Sequence, residues 1–394
     1  MLIWQYIFIF SCAAVFYNYA GYALLIYVVN RLKKKSPAPA NPGFYPTVSF
    51  VVAAFNEEDC IEKKILNSLS QDYPEDKIEY IFISDGSSDA TMDIIRRYPA
   101  IQLLHQPERK GKSAALNRAV QAARHDILIF SDANTFLNPD ATRQITRHYH
   151  RPQVGGVAGE KKVIAATDAA DEVGATEGLY WKYESFLKQL DSDFYSVVGA
   201  AGELFSLRRS LYEPVPDKVI LDDFIISMKV AAQGFQIVYE PGAYAMELPS
   251  FSIGDEQKRK VRIAAGGFQA MGMLRPILLF WKQPRLSFLY ISHRVLRWTL
   301  SPLCLVLAFL SNLFLFFSAG HWIFKLLFLA QLAFYSMAIA ASLVPDKIRV
   351  PKLMKLAYYF VFMNVSVIQG FFRFLRGKQS SAWEKAKRNA AVAG

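Results

Sequence analysis

Apolar residues are concentrated toward the two ends of this chain of 394 residues, and the middle is polar and charged. Residues 1–30 contain no charged side chain and are long enough to cross a bilayer, which takes about 20 residues. Three more apolar stretches of sufficient length occur near the other end, at 296–318, 321–344 and 356–372. This distribution predicts a polar domain, residues 47–271, between one N-terminal membrane helix and about three C-terminal ones within residues 293–376.

The charges that flank the first apolar stretch favour a membrane anchor over a cleaved signal peptide. No basic residue precedes the stretch, whereas Arg31 and the lysines at 33–35 come after it. Because basic flanks are retained in the cytoplasm, the polar domain is expected on the cytoplasmic side of the plasma (inner) membrane. Residues 31–46 combine these charges with four prolines, which is typical of a linker.

Charge does not fix the orientation of the C-terminal stretches. Three crossings after a cytoplasmic domain would place the C-terminus outside, yet the basic tail at 377–394 favours the inside. One stretch is therefore re-entrant, or residues 276–290 cross as well, or the charge rule does not hold here. Residues 272–292 are apolar but interrupted by Lys282 and Arg285, which is typical of helices at the membrane interface.

Within residues 47–271 the hydrophobic pattern changes to short apolar runs separated by amphipathic segments. Four of these runs predict buried strands, at 48–54, 79–84, 101–105 and 126–131. Helix-compatible segments connect them, including residues 111–124 before the last strand. Repetition of strand, loop and helix predicts an α/β domain with a mostly parallel, Rossmann-like sheet.

Polar side chains lie at the ends of three of these four strands. Asn56 and Glu57 come after the first, Asp85 ends the second, and Asp132 and Asn134 come after the fourth. The carboxyl ends of parallel strands meet at one edge of a sheet, where ligands bind. Asp132 and Asn134 are two positions apart, so both oxygens could reach one divalent cation, Mg²⁺ or Mn²⁺, that bridges the phosphates of a ligand. An ordinary turn is the alternative interpretation of this pair.

The sequences of the loops after the strands limit which type of phosphate-binding site is expected. They contain neither a Gly-x-Gly-x-x-Gly nor a Walker lysine motif, which argues against dinucleotide and ATP sites. Strand-end carboxylates can instead accept hydrogen bonds from a base or ribose hydroxyl. Lys110 and Lys112 could neutralise a pyrophosphate, unless they only begin a solvated helix. These features favour a nucleoside diphosphate donor.

Composition favours a membrane surface over nucleic acid as a partner. The chain is 53% hydrophobic with a net charge of +11, and its basic residues gather beside apolar segments. We therefore expect contact with membrane lipids and no nucleic acid. Cys12, Cys60 and Cys304 are isolated, which predicts neither a disulfide framework nor a zinc cluster.

Four motifs occur in a set order along the polar domain. They are Ala54-Phe-Asn-Glu-Glu, Ser84-Asp-Gly-Ser-Ser-Asp-Ala-Thr, Lys110-Gly-Lys-Ser-Ala-Ala-Leu-Asn and Ser131-Asp-Ala-Asn. In this order they resemble the family 2 inverting glycosyltransferases with the GT-A fold. The likeness covers residues 47–271 and is greatest to the membrane-embedded branch, which includes synthases of cellulose, hyaluronan and poly-N-acetylglucosamine.

The resemblance implies roles for individual residues. Those it assigns to nucleotide-sugar binding in these motifs are Ala54, Asn56, Glu57, Asp85, Lys112 and Asp132. The nucleotide in the family is usually uridine. Asp132 matches the first aspartate of the Asp-x-Asp metal motif, whereas the second is replaced by Asn134, which can still ligate through its amide oxygen but removes one negative charge.

The second half of the domain is expected to supply the acceptor site and the general base. Gly202 and Glu203 lie in a segment, 197–209, that resembles the family's acceptor-side loop and the strand after it; ordinary turn glycines are the alternative. Leu221-Asp-Asp matches the family's Thr-Glu-Asp motif, which makes Asp223 the base. Asp222 would then orient a partner or cap a helix.

Residues 255–269 correspond to the region that carries Gln-x-x-Arg-Trp in processive synthases. Arg262 falls at the arginine, Arg259 at the glutamine and Ile263 at the tryptophan. The two arginines could clamp a diphosphate, but the altered motif does not predict processive synthesis. A basic helix bound to anionic lipid headgroups is the alternative.

The sequence thus predicts a multi-pass membrane glycosyltransferase that moves a sugar from a UDP-sugar to a glycan or lipid-linked acceptor with inversion. Cell-surface polysaccharide synthesis is the expected process, with a polysaccharide export protein as a candidate partner. A catalytically silent nucleotide-sugar-binding subunit is the alternative that Asn134 favours and that the pair Asp222 and Asp223 argues against. A nucleotidyltransferase is a weaker alternative, because it should carry a glycine-rich signature near the first strand.

Overall fold

The computed structural model describes residues 1–33, 43–163, 172–247, 253–318, 321–344 and 350–377. Eight strands in this part of the chain form one sheet: β1 (Val48–Ala54), β2 (Ile78–Asp85), β3 (Ile101–Gln106), β4 (Ile127–Asp132), β5 (Phe136–Leu137), β6 (Val154–Val163), β7 (Leu204–Arg208) and β8 (Gln236–Glu247). Their order across the sheet is β3-β2-β1-β4-β7-β6-β8-β5.

The first half of the sheet is parallel. β1 pairs with β2 and β4, and β2 with β3, all in the same direction. Each of the four predicted strands lies within one residue of the observed bounds. Every residue of β1 is buried, because helices cover both faces of a parallel sheet. The predicted α/β fold class is confirmed, with its strand ends at one edge.

The second half of the sheet is mixed. β7 runs antiparallel to both β4 and β6, β6 pairs with β8 in parallel, and β5 pairs with β8 in antiparallel fashion. The sequence analysis did not predict β5, β6 or β8. β6 begins with two glycines close to its start and ends with charged residues, so it lacks the continuous apolar run by which the first four strands were found.

The described helices are α1 (Leu2–Phe16), α2 (Tyr22–Leu32), α3 (Ile61–Leu69), α4 (Thr91–Ile95), α5 (Lys112–Ala122), α6 (Ala141–Thr146), α7 (Glu172–Phe194), α8 (Asp222–Ala232), α9 (Ile253–Met273), α10 (Arg275–Leu278), α11 (Pro284–Tyr290), α12 (Leu296–Trp298), α13 (Leu300–Ser318), α14 (Trp322–Leu343) and α15 (Lys352–Leu375). Alternate residues of β1 belong to two hydrophobic cores, one on each face of the sheet. Val51 packs with α5 and α8 on one face, and Phe50 packs with α3 and α6 on the other. Two π-helical turns, Tyr17–Gly21 and Ile291–Val295, join α1 to α2 and α11 to α12.

Three helices of the described residues are long and apolar enough to cross a membrane. They are the continuous helix Leu2–Leu32, α13 and α14. The third predicted C-terminal span is also helical, as α15, but it is not one of these three, since it carries polar residues such as Asn364 and Gln369 among its apolar ones. A crossing by α15 remains a prediction.

A buried polar network joins the N-terminal apolar helix and the segment before α13 to the α/β domain. The Tyr22 hydroxyl on α2 donates to Asp191 Oδ1 on α7 at 2.5 Å, and His293 Nδ1 lies 2.6 Å from the other Asp191 oxygen. Arg297 donates to Glu184 at 2.6 Å. Burial would raise the pKa of Glu184, but Arg294 and Arg297 outweigh burial and hold this pKa well below its usual range. The domain is therefore fixed on the apolar helices by paired charges, which the sequence analysis did not foresee.

Candidate active site

The loop after β1 is tied to the loop after β2. Ala54, the last residue of β1, is fully buried. Asn56 has a positive φ of 53°; its side-chain oxygen accepts from Ser88 N at 2.8 Å. Glu57 N donates to Thr91 Oγ1 at 2.8 Å. Asn56 and Glu57 therefore lie at the predicted sheet edge.

Asp85 orders the loop that leads to α5. Its two carboxylate oxygens accept hydrogen bonds from Lys110 N at 3.0 Å and Gly111 N at 2.8 Å. Gly86 is required here, because its φ is +75° and a Cβ would lie 3.0 Å from Pro107 O. Asp85 thus has a structural contact besides its predicted role, and it fixes the position at which α5 begins with Lys112.

A stacked pair at the same edge was missed in the sequence. The guanidinium of Arg109 lies 3.6 Å from the centre of the Phe55 ring, which comes directly after β1. Phe55 belongs to the first motif and Arg109 immediately precedes the third, so both residues are close to the motifs. Their contact depends on how the two loops meet and cannot be read from spacing.

Lys112 connects the predicted metal and catalytic residues. Its Nζ lies 2.6 Å from Asp132 Oδ1 and 3.9 Å from Asp222 Oδ2. Burial would lower the pKa of the Lys112 ammonium, but Asp132, Asp222 and Asp223 outweigh it, so this pKa is raised. Burial also raises the pKa of Asp132, and Lys112 opposes that rise. One cation thus lies among three carboxylates from two distant parts of the chain.

Asp223 has the environment of a general base. It lies in the first turn of α8, and its Oδ1 accepts a hydrogen bond from Phe224 N at 2.8 Å. Burial raises its pKa to about 7, Asp222 adds to the rise and Lys112 opposes it. A carboxylate with a pKa near neutrality can both take up a proton and release it at physiological pH. The structure therefore brings Asp222 and Asp223 next to Lys112 and Asp132.

The predicted acceptor-side loop contacts this cluster. A Cβ on Gly202 would lie 3.2 Å from Asp223 Oδ2 and 3.2 Å from Lys112 Nζ, so the backbone of Gly202 lies against both side chains. Glu203 extends the other way, where its Oε1 lies 2.7 Å from Lys161 Nζ. Gly202 therefore borders the candidate base, and Glu203 leads away from it.

A buried lysine supports the turn that carries Asp132 and Asn134. Lys64 on α3 is fully buried; its Nζ donates to Ser131 Oγ at 2.7 Å and to Thr135 O at 2.8 Å. Burial lowers the pKa of Lys64 to about 7, although Asp132 opposes the shift. The sequence analysis missed Lys64 because it lies within an ordinary amphipathic pattern.

The two predicted arginines lie on α9, which packs against the loop before α8. A Cβ on Gly266 would lie 2.8 Å from Leu221, the residue before Asp222, and Arg262 is one turn earlier on the same face. Arg259 Nε instead donates to Glu256 Oε2 at 3.0 Å. The structure thus brings Arg262 toward the Asp222 turn, whereas Arg259 is paired on its own helix.

The residues at the β4 end suit a hard divalent cation that is shared with a ligand. In the part of the chain that the structure describes, no group of three or more His, Cys, Asp or Glu side chains could hold a metal by itself. Asp132 and Asn134 are both half-buried and offer a carboxylate and an amide oxygen. Mg²⁺ and Mn²⁺ accept such oxygen ligands and are commonly held by one or two carboxylates plus substrate phosphates.

The match to a family model agrees with this geometry. Residues 49–215 match the model described as glycosyl transferase family 2, so the chain carries a domain of this family. The matched range includes β1 to β4, Lys112, Asp132 and Gly202, and it ends before Asp223. The predicted family and its GT-A type of fold are confirmed.

Individual relatives and a solved structure extend the likeness. Poly-beta-1,6-N-acetyl-D-glucosamine synthase of Staphylococcus aureus strain MSSA476 is 28% identical over 231 residues, and that of Staphylococcus epidermidis is 26% identical over the same length. Each match covers 57% of this chain and 55% of the relative, so the chain matches about half the length of these curated relatives. A mannosyltransferase from Pyrobaculum calidifontis, PcManGT, solved with GDP-Man and Mn²⁺, is similar in structure with a TM-score of 0.71 and 23% identity. The superposition covers 95% of this chain and 99% of that one.

Proposed function

We propose that this protein is a membrane-bound inverting glycosyltransferase that transfers a sugar from a UDP-sugar to a glycan or lipid-linked acceptor. The observation that carries the proposal is Asp223, a half-buried carboxylate with a pKa raised to about 7 that lies against the Gly202 loop and next to Lys112 and Asp132. Inverting transfer needs one such base beside a diphosphate site.

In the proposed reaction, the acceptor hydroxyl forms a hydrogen bond with the carboxylate of Asp223. This carboxylate takes the proton of the hydroxyl as the oxygen attacks the anomeric carbon from the side opposite the nucleotide. The bond from the anomeric carbon to the diphosphate breaks as the new glycosidic bond forms, so the configuration inverts. Asp222 raises the basicity of its neighbour through repulsion between the two carboxylates.

The leaving diphosphate carries the negative charge that develops. Lys112 lies between Asp132 and Asp222, where its ammonium can contact the diphosphate, and Arg262 approaches from α9. Asp132 and Asn134 would hold a divalent cation, which supplies further positive charge to the diphosphate when it is bound. Arg259 would reach the diphosphate only by leaving its contact with Glu256.

Three observations support polysaccharide assembly in the membrane as the setting. The Staphylococcus relatives are named as polysaccharide synthases, the chain has three helices apolar enough to span a membrane, and basic residues come after the first of these. We therefore place the protein in the plasma membrane with its catalytic domain in the cytoplasm. A silent binding subunit is less well supported, since such a subunit has no need of a carboxylate with a pKa near 7 beside a diphosphate site.

The proposal is tested by nucleotide release in membranes that contain the full chain. A panel of UDP-sugars and GDP-sugars is supplied with Mg²⁺ or Mn²⁺ and with endogenous acceptors, and UDP or GDP release is measured together with product length. One UDP-sugar should be turned over, and Asp223→Asn should lower that turnover at least ~1,000-fold, an order of magnitude expected for loss of a general base.

A control separates lost chemistry from lost binding. UDP affinity, measured by calorimetry on detergent-solubilised protein, should be unchanged in Asp223→Asn, and Asp217→Asn on the exposed surface should retain full turnover. Turnover that survives in Asp223→Asn contradicts the assigned base. Binding of UDP without release from any donor would favour the silent subunit.

A further inference from the structure

A cluster of aromatic and cationic side chains lies between α7, β6 and α9. We call it the Trp181 cluster, and it consists of Trp181 and Lys188 on α7, Lys161 on β6 and Lys260 on α9. The ammonium groups of Lys161, Lys260 and Lys188 lie 4.9, 5.6 and 5.8 Å from the centre of the indole ring. Trp181 itself is half-buried, so part of its surface is accessible.

The Trp181 cluster is continuous with the catalytic centre. Lys161 Nζ lies 2.7 Å from Glu203 Oε1, and the neighbouring Gly202 borders Asp223. The backbone oxygen of Glu203 accepts a hydrogen bond from Ser131 Oγ, the residue before Asp132, at 3.0 Å. The Trp181 cluster and Asp223 are therefore linked through the adjacent residues Gly202 and Glu203.

The other end of the Trp181 cluster points to the membrane. Glu184 lies one turn from Trp181 on α7 and pairs with Arg294 and Arg297, which precede α13. The Trp181 cluster thus lies between the membrane junction and the candidate base. An acceptor that is held at a membrane can extend its reactive end toward Asp223 through this position.

Lys188 offers an unsatisfied donor inside the Trp181 cluster. It is only 3% exposed, and its Nζ has no hydrogen-bond partner among the described residues. The Nζ lies between the rings of Trp181 and Tyr239, 5.8 and 5.9 Å from their centres. Burying an ammonium without a hydrogen-bond partner is costly, and a ligand hydroxyl or ring oxygen would supply one.

The charges around Trp181 favour a neutral ligand. The three lysines face carboxylates of Glu203 and Glu247, both paired with Lys161, and of Glu256, paired with Lys260. Glu160 acts on Lys188 as well. Nearby carboxylates therefore offset the ammonium groups, so the Trp181 cluster has little net positive charge with which to hold an anion. An apolar ring bordered by charged donors and acceptors suits a sugar, which has apolar C–H faces and hydroxyls at its edge.

We propose that the Trp181 cluster is a subsite for a neutral glycosyl unit of the acceptor, with the sugar against the indole of Trp181 and its hydroxyls bonded to Lys188 and Glu203. The assignment rests on the proposed function, since it takes Asp223 as the base toward which that sugar is directed. It makes the acceptor a saccharide or a saccharide-bearing lipid, and excludes a bare lipid phosphate from this subsite.

The test measures saccharide binding separately from catalysis, on the full chain in detergent. Three neutral trisaccharides, built of glucose, mannose or N-acetylglucosamine, and a polyprenyl phosphate are titrated while tryptophan fluorescence is recorded. At least one trisaccharide should change the fluorescence. The change should be lost in Trp181→Phe and kept in Trp281→Phe, whose tryptophan is 78% exposed. Calorimetry, which does not depend on the Trp181 signal, should show trisaccharide binding weakened roughly tenfold in Trp181→Ala and Lys188→Met.

The readouts distinguish this inference from the proposed function. UDP affinity and the slow release of UDP without acceptor should be the same in Trp181→Phe and in the unaltered protein. A trisaccharide signal that persists in Trp181→Phe, the absence of any trisaccharide signal, or binding of the polyprenyl phosphate alone would each overturn the subsite. Failure of the unaltered protein to bind UDP, with trisaccharide binding intact, would instead overturn the donor site.

Discussion

At the scale of single residues, the properties of Asp223 depend on its immediate neighbours. Burial and the adjacent Asp222 raise its pKa, and Lys112 opposes the rise. The ionised form of a general base is the active form, so activity should depend on the ionisation of Asp223. Its position at the start of α8 does not explain a pKa near 7, because a helix N-terminus stabilises the ionised form of a carboxylate.

The pH dependence of turnover tests this environment. The ratio kcat/KM should fall as pH falls through about 7, where Asp223 takes up a proton. Asp222→Asn removes the repulsion that favours protonation, so the acidic limb should move to lower pH. Initial rates with the identified donor from about pH 5 to about pH 9 cover the acidic limb and the plateau above it, roughly two units either side of that pKa. An acidic limb that stays in place in Asp222→Asn would show that Asp222 does not act on the base.

Two glycines near Asp223 should respond differently to the same substitution. Gly202→Ala places a methyl group 3.2 Å from the ends of Asp223 and Lys112, so turnover should fall roughly 10- to 100-fold through displacement of these side chains. In Gly199→Ala the added Cβ would lie 2.0 Å from the Phe224 ring, and the backbone at this position has a φ of +83°. The substitution should therefore cost about 2–4 kcal/mol of folding stability. Thermal unfolding and turnover are measured for both. A folding defect in Gly202→Ala as large as that in Gly199→Ala would contradict the distinction.

At the scale of elements, α15 supports the catalytic domain through α9. The ring centres of Phe268 and Phe371 are 5.1 Å apart, and Gln257 donates to Gln369 at 3.2 Å. Gly370 permits this close approach, since a Cβ there would lie 2.5 Å from Ala264 Cβ. Because the other side of α9 packs on Leu221, α15 acts on the Asp222 turn through one intervening helix.

Gly370→Ala should therefore affect stability and turnover together. The added methyl group should separate α15 from α9 and cost about 1–3 kcal/mol. Gly272→Ala on α9 is the matched control, because a Cβ there meets nothing within 4 Å, and it should be neutral or stabilising by at most about 1 kcal/mol. Thermal unfolding in detergent and donor turnover are compared. Equal effects of the two substitutions would argue against close packing at Gly370.

How far the sequence predicts these elements depends on what each one buries. β1 to β4 were predicted because buried parallel strands are continuous apolar runs. β6 and β8 were not predicted, because toward their C-terminal ends they carry charged residues such as Lys161 and Glu247. These two side chains form an ion pair with each other. Motifs identified Lys112, Asp132 and Asp223 one by one, but their mutual distances arise only when β4, α5 and α8 pack together.

Contacts between residues far apart in the chain were beyond the sequence analysis for the same reason. Tyr22 is 169 positions from Asp191, and Lys64 is 67 positions from Ser131. In each pair, the two buried polar groups form a hydrogen bond with each other. Neither residue is unusual in its local sequence, so the sequence does not reveal the contact. The Arg259 prediction shows the reverse case: a motif position alone did not reveal that Glu256, three residues away, binds it.

At the scale of the whole molecule, the continuous apolar helix Leu2–Leu32 and α13 are antiparallel, with the α/β domain at one end of both. The Trp4 ring lies 5.0 Å from that of Phe314, near the end of α13, and Phe8 lies 6.1 Å from Phe324 on α14. At the opposite end of the first helix, Tyr17 OH lies 2.8 Å from Ser292 Oγ, before α13 begins. The N-terminus and the junction of α13 with α14 are therefore on one side, and the catalytic domain is on the other.

This arrangement, with the basic residues after the first helix, predicts the orientation of the protein. An N-terminal epitope tag and a single cysteine at His321→Cys should both be accessible from outside intact cells, once Cys12, Cys60 and Cys304 are replaced by serine. A single cysteine at Arg96→Cys, where the native side chain is 57% exposed on the catalytic domain, should react with a membrane-impermeant maleimide only after permeabilisation. Since Arg31 and Lys33 lie beside the catalytic domain, the positive-inside rule requires this result. A tag and a His321→Cys thiol found on opposite sides would contradict the antiparallel packing itself, whereas a joint reversal would contradict only the cytoplasmic placement.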